Sequence, residues 1–173
     1  KITDSLSRNS LHPLLLGTTG ESCSISEKDS YKLISAAVSS KGPKQVIYAG
    51  MVGNQVNDLI ERGNKYIKLG VDVIVSTLPS YYTLNPEQMV NFYTMLADRI
   101  EGPVMMYNIK STTQMSIPVD IIHQLSMHPN ILGLKDSERD TDRLKILINS
   151  YKNRSDFSFF CGWGALGAKS LEM

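Results

Sequence analysis

Cysteine is scarce in this sequence: Cys23 and Cys161 are the whole complement, and they lie far apart. That excludes a disulfide framework and any cysteine-based metal motif. A reducing cytoplasm is the default compartment. Neither sign of charge dominates, because 18 Lys and Arg face 17 Asp and Glu for a net charge of +1. The chain therefore lacks an electrostatic footprint for nucleic acid or an anionic membrane. No apolar run approaches the length of a membrane-spanning helix, and no signal peptide is visible. Histidine occurs only three times, and no cluster of residues has metal-ligand spacing. The first apolar segment carries no Gly-x-Gly-x-x-Gly, and no Gly-Lys-Ser/Thr run closes a phosphate-binding loop.

What is present is ordinary for a globular domain: 173 residues, 42% hydrophobic and 20% charged, enough for one real core. Its organisation is repetitive. Residues 1–10 read as the tail of a helix, with Ile2 and Leu6 as its apolar positions. Leu11–Leu16 then reads as a short buried strand, broken at Gly17-Thr-Thr-Gly-Glu21. Ser26 is an N-cap candidate, and Tyr31, Ile34, Ala37 and Val38 follow at helical spacing until Gly42 and Pro43. Gln45–Ala49 is the next strand, followed by a helix from Val56 to Ile67 that stops at Gly70. Val71–Val75 precedes a helix opened by Pro86. Pro103–Tyr107 precedes a polar loop and a helix opened by Pro118. Ile131–Leu134 leads to a helix from Thr141 or Asp142, and Phe157–Cys161 to a helical stretch over Ala165–Met173. Met89, Met95, Met105 and Met106 are assigned to the core.

Six strands, each followed by a helix at intervals of roughly 26 to 33 residues, predict a parallel sheet covered on both faces. A doubly wound open sheet and a (β/α)₈ barrel both fit. Regular spacing and short loops favour the barrel. The expected fold is α/β, a (β/α)₈ TIM barrel of which the chain supplies about strands 2 to 7. Six strands do not close an eight-stranded barrel, and open parallel edges are aggregation-prone. Residues 1–173 are therefore expected to be a single barrel domain, incomplete at both ends, short of roughly one βα unit on either side.

Reactive groups in such a barrel sit at the C-terminal ends of the strands. Those ends read Gly17-Thr18-Thr19-Gly20-Glu21, Gly50 and Asn54, Pro79-Ser-Tyr81-Tyr82, Tyr107-Asn108, Lys135-Asp136 and Gly162-Trp163-Gly164. His12, His123 and His128 fall outside this rim and read as satisfied or exposed imidazoles. The central stretch is Ile131-Leu-Gly-Leu-Lys-Asp-Ser137, a buried-strand pattern that runs into a lysine. Lysine is seldom buried unless it is paired or used. A dry pocket favours the neutral amine, a nucleophile, which forms a Schiff base with a ketone or aldehyde. The alternative is a strand-end lysine whose ammonium reaches solvent.

Taken in order and spacing, Gly17-Thr-Thr-Gly-Glu21, Pro79-x-Tyr-Tyr82, Tyr107-Asn108, Gly133-Leu-Lys135 and Cys161-Gly162 carry a likeness that covers essentially the whole chain. It resembles the dihydrodipicolinate synthase / N-acetylneuraminate lyase family, class I aldolases that work on pyruvate. The resemblance implies that Lys135 is the Schiff-base lysine and that Tyr107 moves protons to and from the substrate hydroxyl and the carbinolamine. It implies that Thr18 and Thr19 hold the pyruvate carboxylate through hydroxyl and N–H donors, the flanking glycines permitting close approach. Thr18 would also join the proton relay. Tyr82 matches a tyrosine that, in the synthase branch, reaches across a subunit interface into a neighbour's relay. Gly162 would leave space beside the keto acid. The family implies no cofactor or metal, and a homo-oligomer, either a dimer or a homotetramer built from dimers.

Two departures bear on the substrate. Synthases of this family carry an arginine at the position of Thr112, which binds the carboxylate of the second substrate, and threonine cannot replace a guanidinium fork. Lys110 is the candidate for an acidic or polyhydroxylated partner instead. After Gly162, Trp163 and Gly164 supply no acid pair. The expected function is a Schiff-base aldolase or lyase that condenses pyruvate with, or releases it from, a 2-oxo acid such as a sugar acid. The expected partner is a small-molecule oxo acid, not nucleic acid or a membrane. The alternatives are a paralogue that binds pyruvate or an oxo acid without turnover, and a barrel fragment with no site.

Overall fold

The computed structural model describes residues 2–173. Helix α1 (Ile2–Arg8) leads into six βα units. The first three are β1 (Leu14–Leu15) with α2 (Glu27–Ser39), β2 (Tyr48–Met51) with α3 (Val56–Lys68), and β3 (Val73–Thr77) with α4 (Pro86–Arg99). Then come β4 (Val104–Asn108) with α5 (Lys110–Thr113) and α6 (Val119–Leu125), β5 (Ile131–Asp136) with α7 (Thr141–Tyr151), and β6 (Ser158–Cys161) with α8 (Gly167–Leu171). Local chemistry sets the helix starts. The Ser26 hydroxyl accepts the Asp29 N–H at 3.1 Å. Asn85 and Gln88 close a reciprocal capping box around Pro86. Asp140 accepts the N–H groups of Asp142 and Arg143.

All six strands are parallel, and each pairs with its sequence neighbours in the order β1-β2-β3-β4-β5-β6. A doubly wound sheet reverses strand order at a switch point. This sheet has no reversal, which is barrel connectivity. It is also curled. Tyr48 on β2 and Phe160 on β6 stand four strand spacings apart, roughly 19 Å in a flat sheet. Their rings nevertheless meet edge to face, 6.0 Å between centroids. The convex face sends Ala49, Met51, Ile74, Val104, Met106 and Leu134 into the helices, where the main core sits. The concave face carries Val75, Met105 and Tyr107, with Leu14 and Tyr48 packed beside them. The result is a curled half-barrel of the α/β class.

The strands end later than the apolar runs suggest. The third strand, expected at Val71–Val75, pairs over Val73–Thr77, and the fifth runs on past Leu134 to Asp136. The second pairs over Tyr48–Met51, while Gln45 turns inward to donate to the Thr3 and Leu11 carbonyls at 3.2 and 2.8 Å. Leu11–Leu16 shrinks to Leu14–Leu15, with Leu11 52% exposed. Pro13 has no N–H to give the ladder, and Leu16 leaves it at φ 53°. Met95 is a correction: it is 41% exposed, whereas Met89, Phe92 and Leu96 of the same helix are buried. The polar loop after the fourth strand contains the short helix α5. Among the described residues no helix is long and apolar enough to cross a membrane.

Candidate active site

Strand register assembles the site. Tyr107 on β4 lies opposite Lys135 on β5, and opposed residues of a parallel ladder share a face. Both therefore project from the concave side. The Lys135 Nζ sits over the Tyr107 ring, 3.8 Å from its centroid. Tyr107 is buried and Lys135 partly so. The lysine lines a cavity of about 370 Å³ together with Leu14, Tyr48, Val75, Met105 and Phe160.

Thr18 arrives from the end of β1. Leu16, buried and at φ 53°, reverses the chain there, a conformation that a leucine keeps only when its surroundings hold it. Two successive turns follow, with the Gly20 N–H donating to the Gly17 carbonyl and the Glu21 N–H to the Thr18 carbonyl, each at 3.0 Å. This places the Thr18 hydroxyl 3.4 Å from the Tyr107 hydroxyl. Among the described residues, the N–H groups of Thr18 and Thr19 find no partner within the chain. Thr19 is exposed beside Thr18. Successive free N–H groups of this kind suit an anion.

Burial by itself would raise the pKa of the Tyr107 phenol and keep it protonated. The Lys135 amine, the Thr18 hydroxyl and Ser137 all favour the phenolate, and they prevail, so the pKa lies below the ordinary tyrosine value. Gly162, after β6, faces the lysine stem. A Cβ there would fall 2.2 Å from Ser137 Oγ, 3.1 Å from the Asp136 carbonyl oxygen and 3.2 Å from Lys135 Cε.

Of the residues singled out in the sequence, Lys135, Tyr107, Thr18 and Gly162 converge, and Thr19 is exposed next to Thr18. Tyr82 does not join them: it is 76% exposed and stacks edge-on against Tyr81, 4.8 Å between centroids. Lys110 is exposed on α5. Thr112 lines a smaller cavity of about 180 Å³ with Thr18, Thr77, Ser80 and Thr113. Three residues escape sequence reasoning. The Thr77 hydroxyl is buried without a partner, in register with Tyr107. Ser137 borders Gly162. Arg143 reaches Asp136 from α7. Only the position of Thr77 and Ser137 at strand ends, among hydroxyl residues, hinted at them.

A sequence profile of the dihydrodipicolinate synthetase family matches residues 10–173. The chain belongs to that family. The 4-hydroxy-tetrahydrodipicolinate synthase of Macrococcus caseolyticus is 32% identical over 158 residues, covering 91% of this chain and 53% of that protein. The chloride-inhibited dihydrodipicolinate synthase of Acinetobacter baumannii, solved with pyruvate, matches with a TM-score of 0.86 at 25% identity, over 92% of this chain and 54% of that one. A prophage protein of the same family from E. coli K12, also solved with pyruvate, reaches a TM-score of 0.90 over 98% of this chain and 58% of that one. At 22% identity that second likeness speaks for the fold alone. The chain spans about half the length of the curated family members it matches.

Proposed function

We propose that this chain carries the Schiff-base half-site of a class I aldolase or lyase acting on a 2-oxo acid with a pyruvate half. The observation that carries the reading is the Lys135 amine lying 3.8 Å over the ring of a buried tyrosine. The pyruvate carboxylate is received by the free N–H groups and hydroxyls of Thr18 and Thr19. The Lys135 amine adds to the carbonyl carbon, and the carbinolamine loses water with a proton from Tyr107. Thr18 relays protons to the phenol. The iminium draws electrons from the methyl group, which loses a proton to give the enamine. The enamine attacks an aldehyde, or the reverse step cleaves a carbon–carbon bond and frees pyruvate. Gly162 leaves room for the keto acid beside the lysine stem.

The acceptor end carries no guanidinium at Thr112, which argues for an aldehyde without a second carboxylate, as in sugar-acid cleavage. The exposed Tyr81–Tyr82 pair suits a subunit interface in a homo-oligomer, since aromatics concentrate there. Two free cysteines suit the cytoplasm. The partner is a small oxo acid, and the chemistry draws on no cofactor.

Reduction with borohydride in the presence of pyruvate tests the reading. The expected result is a pyruvate-derived mass increase on the Lys135 peptide, absent from Lys135→Met. Folded protein without the adduct overturns it. An adduct without pyruvate release from any member of a sugar-acid panel selects the paralogue that binds without turnover.

A further inference from the structure

Both reactive residues are followed by a polar one: Tyr107 by Asn108, and Lys135 by Asp136. Alternation along a strand turns these followers to the convex side, where the sheet otherwise presents Met51, Ile74, Met106 and Leu134. Asn108 is 1% exposed and Asp136 5%. Asn108 Nδ2 donates to Asp136 Oδ2 at 2.9 Å and to Glu138 Oε1 at 2.7 Å. Its Oδ1 accepts the Ile117 N–H at 3.0 Å, and its backbone carbonyl accepts the Ser137 N–H at 2.9 Å. Asp136 takes the Arg143 Nε–H on Oδ2 and the Glu138 N–H on Oδ1, both at 2.9 Å. The Ser116 hydroxyl donates to Glu138. Two carboxylates and one guanidinium are thus held in a nearly dry layer, an arrangement that apolar packing usually matches or exceeds in stability. It occurs directly behind the lysine and the tyrosine.

The β4–β5 register shifts between Val104 and Met105, an irregularity of the kind that bends a strand and re-aims its side chains. We propose that Asn108, Asp136, Glu138 and Arg143 form a clamp that sets the register of β4 against β5 and so positions the Lys135 amine over the Tyr107 ring. They are positioning residues and touch no substrate. The chemical part of the inference rests on the Schiff-base reading above; the geometric part does not.

Asp136→Asn keeps the side-chain shape but leaves the Asn108 amide facing another amide, and Arg143→Lys keeps the charge but removes the guanidinium fork. Two readouts are taken on each variant, with Lys135→Met as control. In pyruvate–borohydride trapping, the rate at saturating pyruvate falls about tenfold to hundredfold while half-saturation holds, as expected for misplaced reacting groups. In alkaline titration of tyrosinate absorbance, the early Tyr107 component moves upward, as it does in Lys135→Met. A merely structural role moves neither in protein that remains folded. Wild-type trapping rate and titration in folded variants overturn the clamp. If Asp136→Asn does not fold, Arg143→Lys decides by the same criteria. If wild-type protein is not trapped at all, the Schiff-base reading falls and the titration alone decides the clamp.

Discussion

Tyr107 is where opposing forces meet. Burial raises the pKa of Tyr31, Tyr48, Tyr66, Tyr93 and Tyr151 above the ordinary value. The same burial is outweighed at Tyr107 by the amine on its face and the hydroxyls of Thr18 and Ser137. An alkaline titration of wild-type protein is expected to show a tyrosinate component below the usual range. That component should vanish in Tyr107→Phe, because as pH rises through the lowered pKa this phenol gives up its proton before the buried ones. The same variant should slow Schiff-base formation by about 10²- to 10⁴-fold, the usual worth of a positioned acid or base, measured as the trapping rate. Gly162 gives a second test at this scale. A methyl there meets the Asp136 backbone oxygen at 3.1 Å and the Lys135 stem at 3.2 Å. It also meets Ser137 Oγ at 2.2 Å, and the backbone oxygen moves only with strand β5. Gly162→Ala is therefore expected to abolish trapping or to cost about 1–3 kcal/mol in denaturant unfolding.

The helices begin where their caps stand. Pro86 fixes φ for the first turn of α4, and Asn85 and Gln88 satisfy each other's backbone donors, with Asn85 accepting the Gln88 N–H at 2.9 Å. Asn85→Ala should lower stability by about 1 kcal/mol in chemical unfolding, without affecting trapping, because α4 lies on the convex side. The strands are less legible. Apolar runs report burial and hydrogen bonding reports pairing, and the two part company at the C-terminal rim. Ser76, Thr77, Asn108, Lys135 and Asp136 are polar yet still in the ladder. A pattern based on apolar residues therefore stops short of the residues that line the site.

At the scale of the molecule, β5 separates two environments. Leu134 is fully buried against the helices, and Leu132 is 37% exposed at the irregular start of the strand. Leu134→Ala is expected to destabilise by about 2–5 kcal/mol, through lost burial and a residual cavity. Leu132→Ala should stay within about 0.5 kcal/mol, as surface changes do. Paired unfolding curves check both. The curl that brings Tyr48 to Phe160 also encloses a cavity lined by Leu14, Tyr48, Val75, Met105, Lys135 and Phe160 from the six strands and by Ser10, Leu11 and His12 ahead of β1. Residues more than a hundred positions apart, such as Thr18 and Lys135, thereby come to flank one phenol.

The sequence by itself determined the alternation of strands and helices, the caps and the family motifs, because each is written in local spacing and residue type. Spacing and loop length favoured the barrel over the open sheet, and tertiary structure alone decided strand order, since order depends on which distant segments pair. It alone decided that Tyr82 stands apart and that Arg143 joins the layer behind the lysine. Those facts follow from how a curled sheet and its helices bring remote side chains into hydrogen-bonding distance, and no local pattern encodes that.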